Sequence, residues 1–126
     1  MSGYSFDANI VTDALVGYDP ARAEIRRAIG LGTRVWISRM VWVEVLSKAS
    51  GAMLRGTEAF LSGFGVDDID AEIASRAAAL RRERPRLKSP DAIILASAMV
   101  RGRVLVTRNT KDFPANMPGI RVPYVL

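Results

Sequence analysis

Apolar and polar positions along the chain change period several times, and each change marks an element. "YSF" (4–6) reads as a short first strand, and "NIVTDALVG" (9–17) as the helix after it, stopped by Gly17. "DPARAEIRRAIG" (19–30) is amphipathic at helical spacing, with Asp19 as the expected cap, Pro20 at the first helical position and Gly30 at the end. "RVWIS" (34–38) is a strand, and Ser38 is placed to cap a helix running towards Leu54. A short helix around Glu58 to Phe64 comes next. The segment 67–84 then predicts a long helix, acidic in its first turns and basic in its last, as the helix dipole favours. "SPDAIILASAMVRG" (89–102) predicts another, with Ser89 as cap and Gly102 as stop. "RVLVT" (103–107) and "IRVPYVL" (120–126) close the chain as strands, and Pro123 puts the last one at a sheet edge.

Short strands alternating with longer helices predict an α/β fold: a mainly parallel central sheet flanked by helices. No repeat, low-complexity tract or linker interrupts the pattern, and 126 residues suit a single domain, 1–126, with one core. No apolar run is long enough to cross a bilayer, and "MSGYSFDANI" lacks the basic start of a secretory signal. The expectation is a cytoplasmic protein with no membrane part.

Composition narrows the chemistry. The chain has no cysteine, which removes disulfides, thiol catalysis and cysteine-based metal sites. It has no histidine either, so neither a Ser–His–Asp triad nor a histidine acid–base pair can be built. If the protein is a hydrolase, carboxylates must carry the reaction, and carboxylates with water are natural ligands of Mg²⁺ or Mn²⁺. The net charge of +5 and pI of about 10.2 suit a polyanion or an acidic protein partner.

In parallel α/β sheets ligands gather beyond the carboxyl ends of the strands. Asp7 stands directly after the first strand, where it fits a helix cap and a ligand equally well. Thr107 ends "RVLVT", and Asn109 and Asp112 lie just beyond it. Asp91 is in the first turn of its helix, a position the dipole favours with no function needed. Glu44 lies in "MVWVEVL", yet helical geometry places it beside Met40, Val41, Ser47 and Lys48, with Trp42, Val45 and Leu46 on the other side. It suits a surface pair with Lys48 as well as a site. Asp67, Asp68, Asp70 and Glu72 coincide with a helix start and are read as structural. The run "RRERPRLK" (81–88) ends a helix and is read first as a solvated face, although it stands immediately before Asp91.

"FDANIV", "WVEVL", "SPDAIILASA" and "VLVTRNTKDF" occur in an order and spacing that resembles the PIN-domain ribonucleases, and within them the VapC toxins of toxin–antitoxin pairs. The resemblance spans essentially the whole chain. It implies a PIN-like α/β/α domain and a Mg²⁺- or Mn²⁺-dependent endoribonuclease using one or two ions. Carried over position by position, it implies Asp7, Glu44 and Asp91 as metal-binding and catalytic acids. Asp112 is the acid of the fourth element, and Thr107 and Asn109 are its possible helpers. Ala8 departs from the family, in which a threonine or serine often follows the first aspartate. Arg86, Lys88, Arg108 and Lys111 are candidate contacts to RNA phosphates. The resemblance also implies a homodimer and an antitoxin that blocks the cleft. Met53, Leu54, Phe60, Leu61 and Phe64, in 51–65, are read either as ordinary core or as a groove for the antitoxin's helix. Phosphoaspartate hydrolases are disfavoured, because the second acid they need is Asn9 here. The remaining rival is a catalytically silent PIN-like module that binds RNA or protein.

Overall fold

The computed structural model describes residues 3–126. Five parallel strands form one sheet: β1 (Tyr4–Phe6), β2 (Val35–Ser38), β3 (Gly65–Asp67), β4 (Val104–Val106) and β5 (Ile120–Arg121). Their order is β3-β2-β1-β4-β5. The helices are α1 (Ala8–Leu15), α2 (Asp19–Gly30), α3 (Arg39–Ser47), α4 (Met53–Leu61), α5 (Ala71–Glu83) and α6 (Ser89–Arg101). β1 is central and buried along its whole length, as a parallel strand covered on both faces must be. Phe6, Ile10, Ile37, Leu61, Ile94, Leu105 and Phe113 fill the core around it. α6 packs on β2 and β4, and α5 packs along α6. Among the described residues no helix is long and apolar enough to cross a membrane.

The α/β alternation read from the sequence holds, with four local differences. The helix capped by Ser38 stops at Ser47 instead of running towards Leu54, and Gly51 turns the chain at φ +47°. The next helix therefore starts at Met53 and ends at Leu61, ahead of the expected 58–64. Asp67 begins no helix: it ends β3, and Asp70 caps α5 by accepting from the Ile73 amide at 2.9 Å. Only Ile120 and Arg121 of the expected 120–126 strand pair with the sheet, at the edge that Pro123 indicated. Tyr18 and Lys88, in place of Asp19 and Ser89, occupy the cap positions of α2 and α6.

Ion pairs fasten the edges of the sheet. At the β3 edge, buried Asp67 accepts from Arg103 at 2.8 and 3.0 Å, and the same guanidinium lies 3.7 Å from the Trp36 ring centroid. Trp36 pairs with Gly65, where a Cβ would stand 2.5 Å from the indole, so only glycine lets the ring lie flat there. At the other edge, Glu24 of α2 accepts from Arg121 at 2.7 and 3.0 Å and from Arg27 at 2.8 and 3.0 Å. Burial alone would raise the Glu24 pKa, but the two guanidinium groups outweigh it and hold the carboxyl at about 2.

Glu24→Gln should therefore destabilise the fold by about 1–3 kcal/mol at neutral pH, the lower part of the range reflecting how far both arginines reach into solvent. The folded pKa of about 2 lies below the ordinary 4.5, so this group's contribution is complete above pH 4.5 and is lost as pH falls towards 2. Urea unfolding across that window should give a flatter acid branch for the variant. Parallel branches would contradict the clamp.

Candidate active site

The strand order reverses between β1 and β4, and ligands of open α/β sheets bind in the crevice outside the carboxyl ends at such a point. Asp7 and Thr107 stand there side by side. The Asp7 amide donates to Val106 O at 2.9 Å, extending the β1–β4 ladder by one residue before the chain turns into α1. Asp7 Oδ1 then caps α1 by accepting from the Ala8 amide at 2.7 Å. Its Oδ2 accepts from the Thr107 hydroxyl at 2.7 Å. The Thr107 oxygen itself receives the Asn109 amide at 3.0 Å, which leaves the hydroxyl proton for Asp7. Asp7 is thus both cap and cleft residue: one oxygen serves each direction.

Asp7, Glu44 and Asp91 line one cleft of about 250 Å³, together with Ala8, Asn9, Thr12, Lys48, Arg108 and Asn109. Asp91 arrives on the first turn of α6. Glu44 arrives on α3, whose buried residues are Val41 and Val45. The sequence reading had put Val45 on the face opposite Glu44; instead Val41 and Val45 make the core stripe and Glu44 stands half-buried on its flank. Trp42 is also only half-buried, under the Arg39 guanidinium at 5.0 Å. Lys48 shares the cleft with Glu44, so this pair belongs to the site and not to a plain surface. Asp112 does not line the cleft. Its Oδ2 accepts from the Asn109 side-chain amide at 2.9 Å, and it borders an adjoining recess of about 450 Å³ with Arg84, Arg86, Leu87 and Lys111.

Two sets of acids differ in their partners. Asp13, Glu24, Asp67, Asp68 and Asp70 each meet an arginine. Those in the cleft have no such partner among the described residues, and their pKa values go up. Burial raises Asp7 most; Thr107, Ala8 and Arg108 pull it back, and the charge of Asp91 adds to the rise. Glu44 is raised by burial and then by Asp7 and Asp91, with Lys48 opposing. Asp91 is raised by burial and then by Asp112. These carboxylates crowd one another, and Arg108, Lys48 and Lys88 offset them only in part, which is the environment a divalent cation relieves. Among the described residues no three of them close on a common metal position. The donor set of hard oxygens nevertheless fits Mg²⁺ or Mn²⁺, ions that keep several waters between themselves and the protein.

The PIN domain model matches residues 4–116. The chain belongs to the PIN-domain family. No curated protein matches it. Among solved structures, this PIN domain is similar to a chain of a toxin–antitoxin complex from Klebsiella pneumoniae, 39% identical with a TM-score of 0.87 over 98% of this chain and 99% of that one. It is also similar to a chain of DNA-bound VapBC from Salmonella typhimurium, 27% identical with a TM-score of 0.73 over 96% of each. With FitAcB from Neisseria gonorrhoeae it shares the fold, at 17% identity and a TM-score of 0.75 over 98% and 99% of the two chains.

Other residues of the PIN domain take places the sequence did not indicate. Asn9, which in sequence marks only the missing second acid of another enzyme class, donates its side chain to Asp7 and to Thr107, each at 3.4 Å, and lines the cleft. Its spacing of two from a cap aspartate, on the exposed side of the first turn, was the available signal. Thr12, one helical turn beyond Ala8, also lines the cleft, and Lys48, read from the sequence as a surface partner of Glu44, lines it too. Arg108 lines the cleft, but one edge of its guanidinium is already bound to Asp13 at 2.6 and 3.1 Å. Arg86, Lys88 and Lys111 are exposed. Of the apolar set expected either as core or as groove, Leu61 and Phe64 are core: Leu61 is fully buried and Phe64 packs edge-on against Phe6 and Phe60 at 6.0 and 5.6 Å. Burial on both sides leaves them no face for a partner. Met53, Leu54 and Phe60 stay wholly or partly at the surface.

Uncompensated repulsion in the cleft should be measurable without any substrate. In metal-free buffer at pH 7, Asp91→Asn is expected to raise the melting temperature by about 4 °C, about 1 kcal/mol for a chain of this size. Mn²⁺ should stabilise the wild type and have little effect on the variant. A destabilised variant, or an equal Mn²⁺ response, would contradict this picture of the site.

Proposed function

We propose that this protein is a Mg²⁺- or Mn²⁺-dependent endoribonuclease, the toxin of a toxin–antitoxin pair, acting in the cytoplasm as a single PIN domain. The observation that carries this reading is the meeting of Asp7, Glu44 and Asp91 in one cleft at the strand-order reversal, with no ion pair to any of them among the described residues. The 39% identity to a chain of a toxin–antitoxin complex over nearly the full length of both supports the toxin assignment. A bound cation would supply Lewis acidity towards the scissile phosphate and offset the charge of the cleft. Asp7, Glu44 and Asp91 would hold it, one or two ions in number, with Asp112 acting through Asn109 or through water. Thr107 and Asn9 orient Asp7 by fixing its Oδ2. A carboxylate whose pKa is raised by burial is also suited to take a proton from attacking water.

RNA is favoured as substrate by the basic surroundings. Arg84, Arg86 and Lys111 border the recess beside Asp112, and Arg84 is anchored there by donating to the Asp112 carbonyl. Arg81 shapes the same loop through its bond to Leu87 O at 2.9 Å. The basic run 81–88 is thus part solvated face and part scaffold, and its exposed cations suit phosphates flanking the cut. With Mn²⁺, the wild type should cleave single-stranded RNA and EDTA should stop it. Asp7→Asn and Asp91→Asn should each lower turnover at least about 100-fold while remaining folded by circular dichroism. Wild-type turnover in either variant would sink the site assignment, and binding of RNA without cleavage would favour the silent module.

An apolar groove of about 200 Å³ runs between α1, α3 and α4, lined by Leu15, Val16, Val45, Ala49 and Met53. Thr12 and Lys48 line both this groove and the acid cleft, so the two are continuous. Val16 is 77% exposed and Met53 64%, surface that an amphipathic antitoxin helix would cover on its way to the acids. Homodimerisation, which the resemblance implies, is part of the same proposal. Val16→Glu or Met53→Glu should weaken antitoxin binding about 10-fold or more in calorimetry. Unchanged affinity would place the partner elsewhere.

A further inference from the structure

Arg108 is held in the wall of the cleft from behind. Its Nε donates to Asp13 Oδ2 at 2.6 Å and its Nη2 to Asp13 Oδ1 at 3.1 Å. The Tyr124 hydroxyl donates to the same Oδ2 at 2.8 Å, and the Tyr124 ring packs edge-on against Tyr18 at 5.2 Å. Asp13 is buried on α1, and Tyr124 comes from the segment after β5. The Arg108 amide also donates to Asn9 Oδ1 at 3.4 Å. The Asp13 carboxylate thus fixes the guanidinium, Tyr124 holds Asp13, and Asn9 holds the Arg108 backbone.

The geometry leaves that guanidinium half used. Arginine carries five N–H donors, and its Nε/Nη2 edge is taken by Asp13, which leaves three donors and the whole Nη1/Nη2 edge. That free edge has the spacing that matches two oxygens of a phosphate. Arg108 lines the cleft with Asp7, Glu44 and Asp91, so the residue that carries these donors is part of the acid site's wall. A purely structural pair between α1 and the end of β4 would need neither a cleft position nor a second hydrogen bond to the acid. Asp13, satisfied by Arg108 and Tyr124, is correspondingly withdrawn from the carboxylates left to hold metal.

We propose that Arg108 binds the non-bridging oxygens of the substrate phosphate in the cleft, and that Asp13 and Tyr124 are the residues that position it. This rests on the nuclease reading. Because the guanidinium is oriented before substrate arrives, its side-chain entropy is already lost, and its charge would add to that of a cation held by the acids.

The test uses the full chain with Mn²⁺ and a fluorogenic single-stranded RNA, and melting temperatures for every variant. Arg108→Ala should lose about 100-fold or more in kcat/KM, and Arg108→Lys should recover little of it. Tyr124→Phe keeps the ring contact and loses one hydrogen bond; its kcat should fall several-fold with melting temperature nearly unchanged. Added guanidinium ion should restore part of the Arg108→Ala activity but none in the Arg108→Ala/Asp13→Asn double variant, a difference that a structural role would not produce. Wild-type kcat/KM in Arg108→Ala, or equal rescue with and without Asp13, overturns the proposal. If the wild type itself does not cleave, the nuclease reading fails. Anisotropy with the same RNA in Ca²⁺ then decides: about 10-fold weaker binding by Arg108→Ala supports the phosphate contact, and equal binding overturns it.

Discussion

The parallel pairing of β1 with β4 is the constraint on which the site is built. It sets residue 7 beside residue 107 across a sequence separation of 100, and the 2.7 Å bond from Thr107 to Asp7 is its last rung in side-chain form. Because the strand order reverses at this pair, the helices that follow β1 and β2 and the loop that follows β4 open around one crevice. Glu44 and Asp91 reach it from α3 and α6, which also touch each other. The cleft thus follows from topology, and its acids come from three separate parts of the chain.

The acids also divide in a way that separates fold from function. Asp67 and Glu24 are buried and each is met by arginine in bidentate fashion, so they fasten the two sheet edges. Asp7 is as deeply buried, yet it receives only a hydroxyl and amides, and among the described residues no cation forms an ion pair with it. A chain with a net charge of +5 has arginine to spare, so the unpaired cluster is a local departure from what stability favours. Such departures are where functional sites are found. Asp13 is intermediate: paired like the structural acids, but through an arginine that itself faces the cleft.

Much of the fold was legible because its strands are short apolar runs and its helices carry clear stops. β3 was not, since three residues ending in an aspartate show no alternation, and the acids at 67–70 imitate a helix start. The burial of Asp67 becomes intelligible only with Arg103, 36 positions away. The early end of α3 is followed by Gly51, whose positive φ turns the chain within a run that otherwise holds helical spacing to Leu54. Of the site, Asp7, Glu44 and Asp91 were reached through family resemblance and through position after a strand or at a helix start. The set of Glu44 on the flank of Val41 and Val45, the place of Asn109 between the cleft and Asp112, and the hold of Asp13 on Arg108 depend on long-range packing that no local pattern encodes.

The central claim, that the unpaired carboxylates at the β1–β4 junction form a divalent-cation site, is tested most directly by paramagnetic relaxation. In ¹⁵N-labelled protein, substoichiometric Mn²⁺ should broaden the backbone amides around Asp7, Glu44, Asp91 and Asn109 first, and leave those around Asp67 and Glu24 sharp. Broadening centred on the acids at 67–72, or spread evenly over the surface, would contradict it.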